Sequence, residues 1–258
     1  MWEAAVSFGA YHGSMESLRT TIRSLAEFWG EAAAETLWPT RCAICDYPGD
    51  VLCARCRRRL PYLDQWRACR RCGAPYGLLQ CTECNPVILA HLGREELPYA
   101  WCASATMFDQ ESTGRLVRVF KDQGEQRLAT IMALLMVRAL PYGCRFDAVA
   151  YVPATRSAYR TRGYDHARLL AEGIARLCDV PVLAALDRPK TSDQRALGRA
   201  ERIANLAGRF HALSHVKLPA HVLLVDDVYT TGATLCSAAD ALLKAGAETV
   251  GCCTFTRA

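Results

Sequence analysis

Between residues 98 and 258, short unbroken apolar runs alternate with apolar residues at helical spacing. Tyr99 to Phe108 reads as a strand. Leu116, Val119 and Phe120, then Leu128, Ile131, Leu134, Leu135 and Leu140, fall on the inner faces of two amphipathic helices broken near Gly124. Asp147 to Val152 is a buried strand that stops at Pro153. Residues 164–178 form a helix with Leu169, Leu170, Ile174 and Leu177 inward, and Val182 to Leu186 is a short strand. Val222-Leu223-Leu224-Val225 is apolar throughout, as a strand covered on both faces must be. Leu235, Ala238, Ala239, Leu242 and Leu243 mark a helix closed by Gly246, and Thr249 to Phe255 is the last strand. This alternation predicts an α/β fold, a mostly parallel sheet with helices on both faces.

The preceding residues follow other rules. Met15, Leu18, Ile22, Leu25, Trp29, Ala33 and Leu37 lie on one face of a helix that Ser14 can cap. Its polar face is acidic, so residues 1–38 read as an arm packed on the protein's own core rather than on a membrane surface. Residues 39–92 have no helical or strand period of comparable length. Pro86, Gly93 and Pro98 punctuate their exit, and a second domain is expected over 98–258.

The net charge of +5 is too mild to imply a nucleic-acid partner by itself. Residues 1–38 carry 2 basic and 5 acidic side chains, 39–97 carry 9 and 6, and 98–258 carry 20 and 15, so the basic excess lies beyond the arm. No run of 18 apolar residues predicts a transmembrane helix. Glu3 and the lack of a continuous apolar core argue against a signal peptide, and a cytoplasmic protein is expected.

The chain has 14 cysteines. Eight of them fall in four pairs of two-residue spacing: Cys42/Cys45, Cys53/Cys56, Cys69/Cys72 and Cys81/Cys84. Such a pair presents two thiolates to one tetrahedral ion. The short gaps favour sequential sites, 42/45/53/56 and 69/72/81/84, over an interleaved cross-brace. With every position a cysteine and none open, the sites are structural. The regular repeat favours Zn2+ over an iron–sulfur cluster, although ligand type alone leaves that choice open. A module this short has little core, so metal binding supplies folding energy on the order of 10 kcal/mol per site. Arg57, Arg58 and Arg59, with Trp66 nearby, are the candidates for contact with a single-stranded nucleic acid through phosphate pairing and base stacking.

The candidate chemistry centres on Asp226-Asp227-Val228-Tyr229-Thr230-Thr231-Gly232-Ala233-Thr234, between the apolar strand and its helix. A helix N-terminus carries free N–H groups and partial positive charge, which attract phosphate. Gly232 lets backbone approach an anion, and the threonines add hydroxyl donors. Asp226 and Asp227 stand at the carboxyl end of the strand, where open α/β sheets bind ligands. Carboxylates repel phosphate but accept hydrogen bonds from vicinal sugar hydroxyls, so the stretch predicts a ribose 5-phosphate site. It is not a Walker A loop, since Gly-Lys-Ser/Thr is absent. A second segment, Val152 to Ala167, carries Arg156, Arg160 and Arg162 on a strand-to-helix loop, and bidentate arginines suit pyrophosphate. A third, from Arg188 to Phe210, is long, polar and basic, in the manner of a lid; it includes Lys190, Thr191, Gln194, Arg202 and Asn205.

The Asp226–Thr234 stretch closely resembles the 5-phosphoribosyl-1-pyrophosphate (PRPP) motif of type I phosphoribosyltransferases. The cysteine clusters, the Pro153–His166 loop, the Thr191/Gln194/Arg202/Asn205 segment and the Asp226-Asp227 motif occur in the order found in the ComF/GntX family. The resemblance spans residues 39–258. It implies a double zinc ribbon joined to a type I phosphoribosyltransferase domain and a link to DNA uptake in natural competence. It further implies that Asp226 and Asp227 hold the ribose 2- and 3-hydroxyls, as catalytic residues if transfer occurs. Within a PRPP-binding stretch of 226–234, the Thr230–Thr234 loop holds the 5-phosphate, Arg156, Arg160, Arg162, Arg188, Lys190 and Arg202 meet the pyrophosphate or close over it, and Mg2+ accompanies PRPP. Single-stranded DNA and uptake proteins are the implied partners, with a place at the inner face of the membrane. Asp165-His166 departs from the family's usual Asn-Gln, Thr155 from its usual His, and Gly198 from Ser or Thr. Two roles follow, a PRPP-binding protein of the uptake machinery and an active phosphoribosyltransferase of an unidentified acceptor.

Overall fold

A computed structural model describes residues 39–91, 93–189 and 210–258. The expected N-terminal arm and Lys190, Thr191, Gln194, Arg202 and Asn205 lie outside the described residues.

Five strands form the sheet: β1 (Trp101–Met107), β2 (Ala148–Tyr151), β3 (Val182–Leu183), β4 (His221–Tyr229) and β5 (Thr249–Arg257). Their order is β1-β5-β4-β2-β3 and every pairing is parallel. β4 is central, which explains its uninterrupted apolar run: Val222 to Val225 are each at most 1% exposed. β4 also runs further than its apolar residues do. Its pairing with β5 continues through Asp226, opposite Thr254, to Tyr229, opposite Arg257.

The helices are α1 (Ala54–Arg58), α2 (Pro86–His91), α3 (Thr113–Asp122), α4 (Leu128–Ala139), α5 (Arg156–Arg162), α6 (His166–Cys178) and α7 (Ala233–Lys244). α4 and α6 cover one face of the sheet and α7 the other. α4 and α6 cross closely at Gly173, where a Cβ would come within 2.6 Å of the Ala133 Cβ. α5 corrects the expectation of an irregular basic loop. Thr155 caps it by accepting from Ala158 N–H, and Gly163, at φ 78°, ends it. No residue of α5 is buried, so it leaves no apolar period in the sequence.

The two cysteine modules straddle the β1 edge. Cys42, Ala43, Leu52, Cys56 and Leu60 join the core under α4 and α6, whereas Cys69, Cys72 and Ala74 join the core under α7. The segment between them covers the otherwise open edge strand. Leu63 N–H donates to Ala105 O at 3.1 Å, Met107 N–H donates to Pro61 O at 2.8 Å, and Tyr62 bridges Thr106 antiparallel. From β2 the chain leaves toward the α6 face, and from β4 toward the α7 face. The carboxyl ends of these adjacent strands therefore diverge and open a crevice, the usual ligand position in such sheets.

Candidate ribose-phosphate site and metal centres

At the crevice, β4 delivers its two carboxylates and then turns through Thr230, Thr231 and Gly232 into α7. Gly232 has φ 74°, a left-handed conformation that L side chains rarely adopt. The space is closed as well, since a Cβ there would lie 2.3 Å from the Tyr229 hydroxyl. Its N-cap residue, Gly232, has no side chain to cap α7, and Thr231 Oγ1 accepts from Ala233 N–H at 3.4 Å, so the positive end of the helix faces the turn. Thr230 is exposed, and Thr231, Ala233 and Thr234 are half-buried.

The two carboxylates live in different surroundings. Asp227 is 2% exposed and forms an ion pair with Lys121 at the end of α3. Burial pushes its carboxyl up, but the Lys121 charge overcomes this and holds it well below the usual carboxylate range. His166 Nε2, at the start of α6, lies 3.7 Å from the other oxygen of Asp227. Burial lowers the His166 imidazole to about 4, so the ring is neutral near pH 7, and its Nδ1 has no hydrogen-bond partner among the described residues. Asp226 is half-buried. Burial, reinforced by the neighbouring Asp227 charge, pushes its carboxyl well above the usual range. One Asp226 oxygen accepts from Asp227 N–H at 2.9 Å, and the two carboxyl groups also lie within hydrogen-bonding reach of each other. Donor atoms of His166, Asp226 and Asp227 lie within 4.8 Å of one another, so the two carboxylates offer the oxygens a divalent cation requires.

The arginines expected to meet pyrophosphate separate into two groups. Arg156 and Arg160 are exposed on α5 with no ion pair among the described residues. Arg162 pairs with Asp122 at 3.1 Å, and its side chain is 15% exposed. Arg188 Nη1 donates to Asp165 Oδ2 at 2.7 Å and to Ala154 O at 3.1 Å, and its guanidinium lies 4.1 Å from the Tyr159 ring centroid. Asp165 also accepts from Ala154 N–H at 3.0 Å and caps α6. The acidic residue at 165 thus serves as a strut that joins the strand end, α6 and Arg188.

The cysteines form two sequential clusters, 42/45/53/56 and 69/72/81/84, rather than a cross-brace. Sγ–Sγ separations are 3.7 Å for Cys45–Cys53, 3.6 Å for Cys69–Cys84 and 3.5 Å for Cys72–Cys81. Four sulfurs around a tetrahedral zinc at about 2.3 Å stand roughly 3.8 Å apart, so each cluster fits that ion. N–H groups of Cys53 and Glu83 point at Cys42 Sγ and Cys81 Sγ, both at 3.4 Å, the kind of support that thiolate ligands receive.

The arginines proposed for nucleic acid divide between two hollows. Arg57 and Arg58 line a groove of about 580 Å³ with Tyr62, Leu134 and Arg138. Arg59 faces a different hollow beside Arg115 and Arg118. Trp66 is 87% exposed and lines neither.

Three residues at the site escaped the sequence reading of its chemistry. Lys121 follows the last core residue of its helix, and nothing in its spacing marks it. His166 stood out only as a departure from Gln. Arg257, penultimate in the chain, lies against Tyr229 at 3.8 Å from the ring centroid.

Residues 166–258 match the model of the phosphoribosyl transferase domain. The DNA utilization protein YhgH of Escherichia coli O157:H7 is 28% identical over 217 residues, which span 77% of this chain and 93% of that protein. Competence protein ComFC of Bacillus subtilis is 24% identical over 209 residues, 77% of this chain and 80% of its own length. Competence protein F of Haemophilus influenzae is 32% identical over 145 residues, 52% of this chain and 63% of that one. Among the described residues no helix is long and apolar enough to cross a membrane. The chain thus matches the phosphoribosyl transferase domain over its C-terminal third and is similar, over most of its length, to proteins named for DNA utilization and competence.

Proposed function

We propose that this protein binds PRPP with Mg2+ at the β4–α7 turn, carries two structural Zn2+ ions in residues 39–92, and acts in DNA uptake. The observation that carries the reading is the pairing of the α7 N-terminus at Gly232 with Asp226, which takes part in no ion pair among the described residues. The helix end and threonine hydroxyls suit the 5-phosphate. Asp226 and Asp227 accept the 2- and 3-hydroxyls, Asp227 while shared with Lys121. Asp226 and Asp227 would hold Mg2+, which would supply charge neutralisation for the pyrophosphate. Arg156 and Arg160 are the described arginines free to meet the pyrophosphate, with Lys190 and Arg202 as further candidates. The DNA-uptake role rests on the competence proteins that the chain resembles.

Calorimetric titration of PRPP with Mg2+ into zinc-loaded protein tests the site. The wild type is expected to bind and the Asp226→Asn/Asp227→Asn double variant to lose binding. An absence of heat from the wild type, with folding intact, rejects the reading.

A further inference from the structure

The second cysteine cluster is joined to the phosphate turn by a short chain of buried contacts. Arg257 begins it, with a side chain only 4% exposed. Its Nη1 donates to Cys72 O at 2.7 Å, and its Nη2 lies 3.9 Å from Cys72 Sγ and 3.9 Å from the Glu83 carboxylate. Cys72 is a member of the four-cysteine cluster, and Glu83 lies between Cys81 and Cys84 of the same cluster. The same guanidinium covers the Tyr229 ring at 3.8 Å. Tyr229 is the last residue of β4 and the first of the turn. Its hydroxyl is 3.1 Å from the Tyr99 hydroxyl and lies over Gly232, and its carbonyl accepts from Ala258 N–H at 2.8 Å. Among the described residues the first cluster has no equivalent link. Its neighbour Ala43 is held by Arg115 of α3, Nε to O at 2.8 Å, on the opposite side of the sheet.

We propose that Arg257 and Tyr229 are positioning residues that couple metal binding in the Cys69/Cys72/Cys81/Cys84 cluster to the shape of the PRPP turn. The inference rests on the PRPP reading above. Its physical basis is that a buried guanidinium must keep its hydrogen-bond partners. A short knuckle owes much of its folding energy to its ion, so loss of that ion frees the Cys72 carbonyl. Arg257 must then find other acceptors, and the Tyr229 ring stacked beneath it and packed on Gly232 shifts with it. Coupling of this kind is reciprocal: PRPP bound to the turn must hold the second cluster closed, and must leave the first cluster unaffected.

The test uses the full-length, zinc-loaded chain. Arg257→Gln and Arg257→Lys are expected to bind PRPP about tenfold more weakly than wild type while the protein stays folded. In the wild type, zinc is withdrawn by a chelator with and without saturating PRPP and Mg2+. The freed thiols are alkylated and located by peptide mass spectrometry. PRPP is expected to slow exposure of Cys69, Cys72, Cys81 and Cys84 several-fold, and to leave the rate at Cys42, Cys45, Cys53 and Cys56 unchanged. Equal rates at the second cluster with and without PRPP overturn the proposal even if both Arg257 variants fail to fold. So does a folded Arg257→Gln protein that binds PRPP as tightly as wild type. Failure of the wild type to bind PRPP at all instead removes the PRPP reading itself, and this inference with it.

Discussion

The β2–α5 and β4–α7 connections leave adjacent strands at the same end of the sheet, and both looked like anion sites in the sequence. Folding treats them differently. The β4–α7 turn has little basic charge of its own and keeps its groups available: a helix N-terminus, exposed Thr230 and Asp226, which has no ion pair among the described residues. The β2–α5 connection is rich in arginine but satisfies part of that charge internally. Arg162 is taken by Asp122, and Arg188, which packs against this connection, is taken by Asp165. The lesson is that binding capacity follows unsatisfied groups rather than the count of basic residues. Arg156 and Arg160 alone, of the four described arginines expected at pyrophosphate, remain unpaired among the described residues.

The largest expected effect falls on the turn. Asp226→Asn/Asp227→Asn removes two charge-assisted acceptors, each worth about 1.5–3 kcal/mol, and should weaken PRPP binding at least about a hundredfold by calorimetry. Next comes the strut. Arg188→Ala leaves the buried Asp165 carboxylate short of its cation and should cost about 2–3 kcal/mol of stability in denaturant unfolding, with PRPP affinity changed far less. If Arg188→Ala instead abolishes PRPP binding in a stable protein, the contrast between the two connections collapses. Gly232→Ala forces a left-handed backbone and a clash with Tyr229, and should cost about 1 kcal/mol or more of stability together with weaker PRPP binding.

Smaller effects sharpen the comparison. Arg156→Ala and Arg160→Ala should each leave the melting temperature unchanged and weaken PRPP binding about threefold, with a loss that shrinks as salt is added. The pH dependence separates the two carboxylates. Asp226 is raised in the free protein, whereas hydroxyl donors and Mg2+ favour its ionised form. Binding therefore releases a proton, and affinity should rise a few-fold with pH until Asp226 is ionised in the free protein. Asp227 is depressed, so the stability it contributes is present above its unfolded value of about 4 and is lost as the pH falls further.

Much of this was legible in the chain. Val222–Val225 could be nothing but a covered strand, and the paired cysteines announced both clusters because ligand spacing is local. What is not local was hidden. The environment of Asp227 depends on Lys121, more than a hundred positions earlier, and on His166 at the head of another helix. α5 escaped because a helix with no buried residue leaves no apolar period. Arg188 read as a free cation because its partner, Asp165, is brought to it only by folding. Residues 190–209, where the lid was expected, lie outside the described part of the chain.

The most direct measurement is a side-by-side titration of PRPP with Mg2+ into zinc-loaded Asp226→Asn and Arg188→Ala proteins. Near-complete loss of binding in the first, with wild-type-like affinity in the second, is the predicted result. Equal affinities in the two variants would contradict the claim that the β4–α7 turn, and Asp226 within it, holds the ribose.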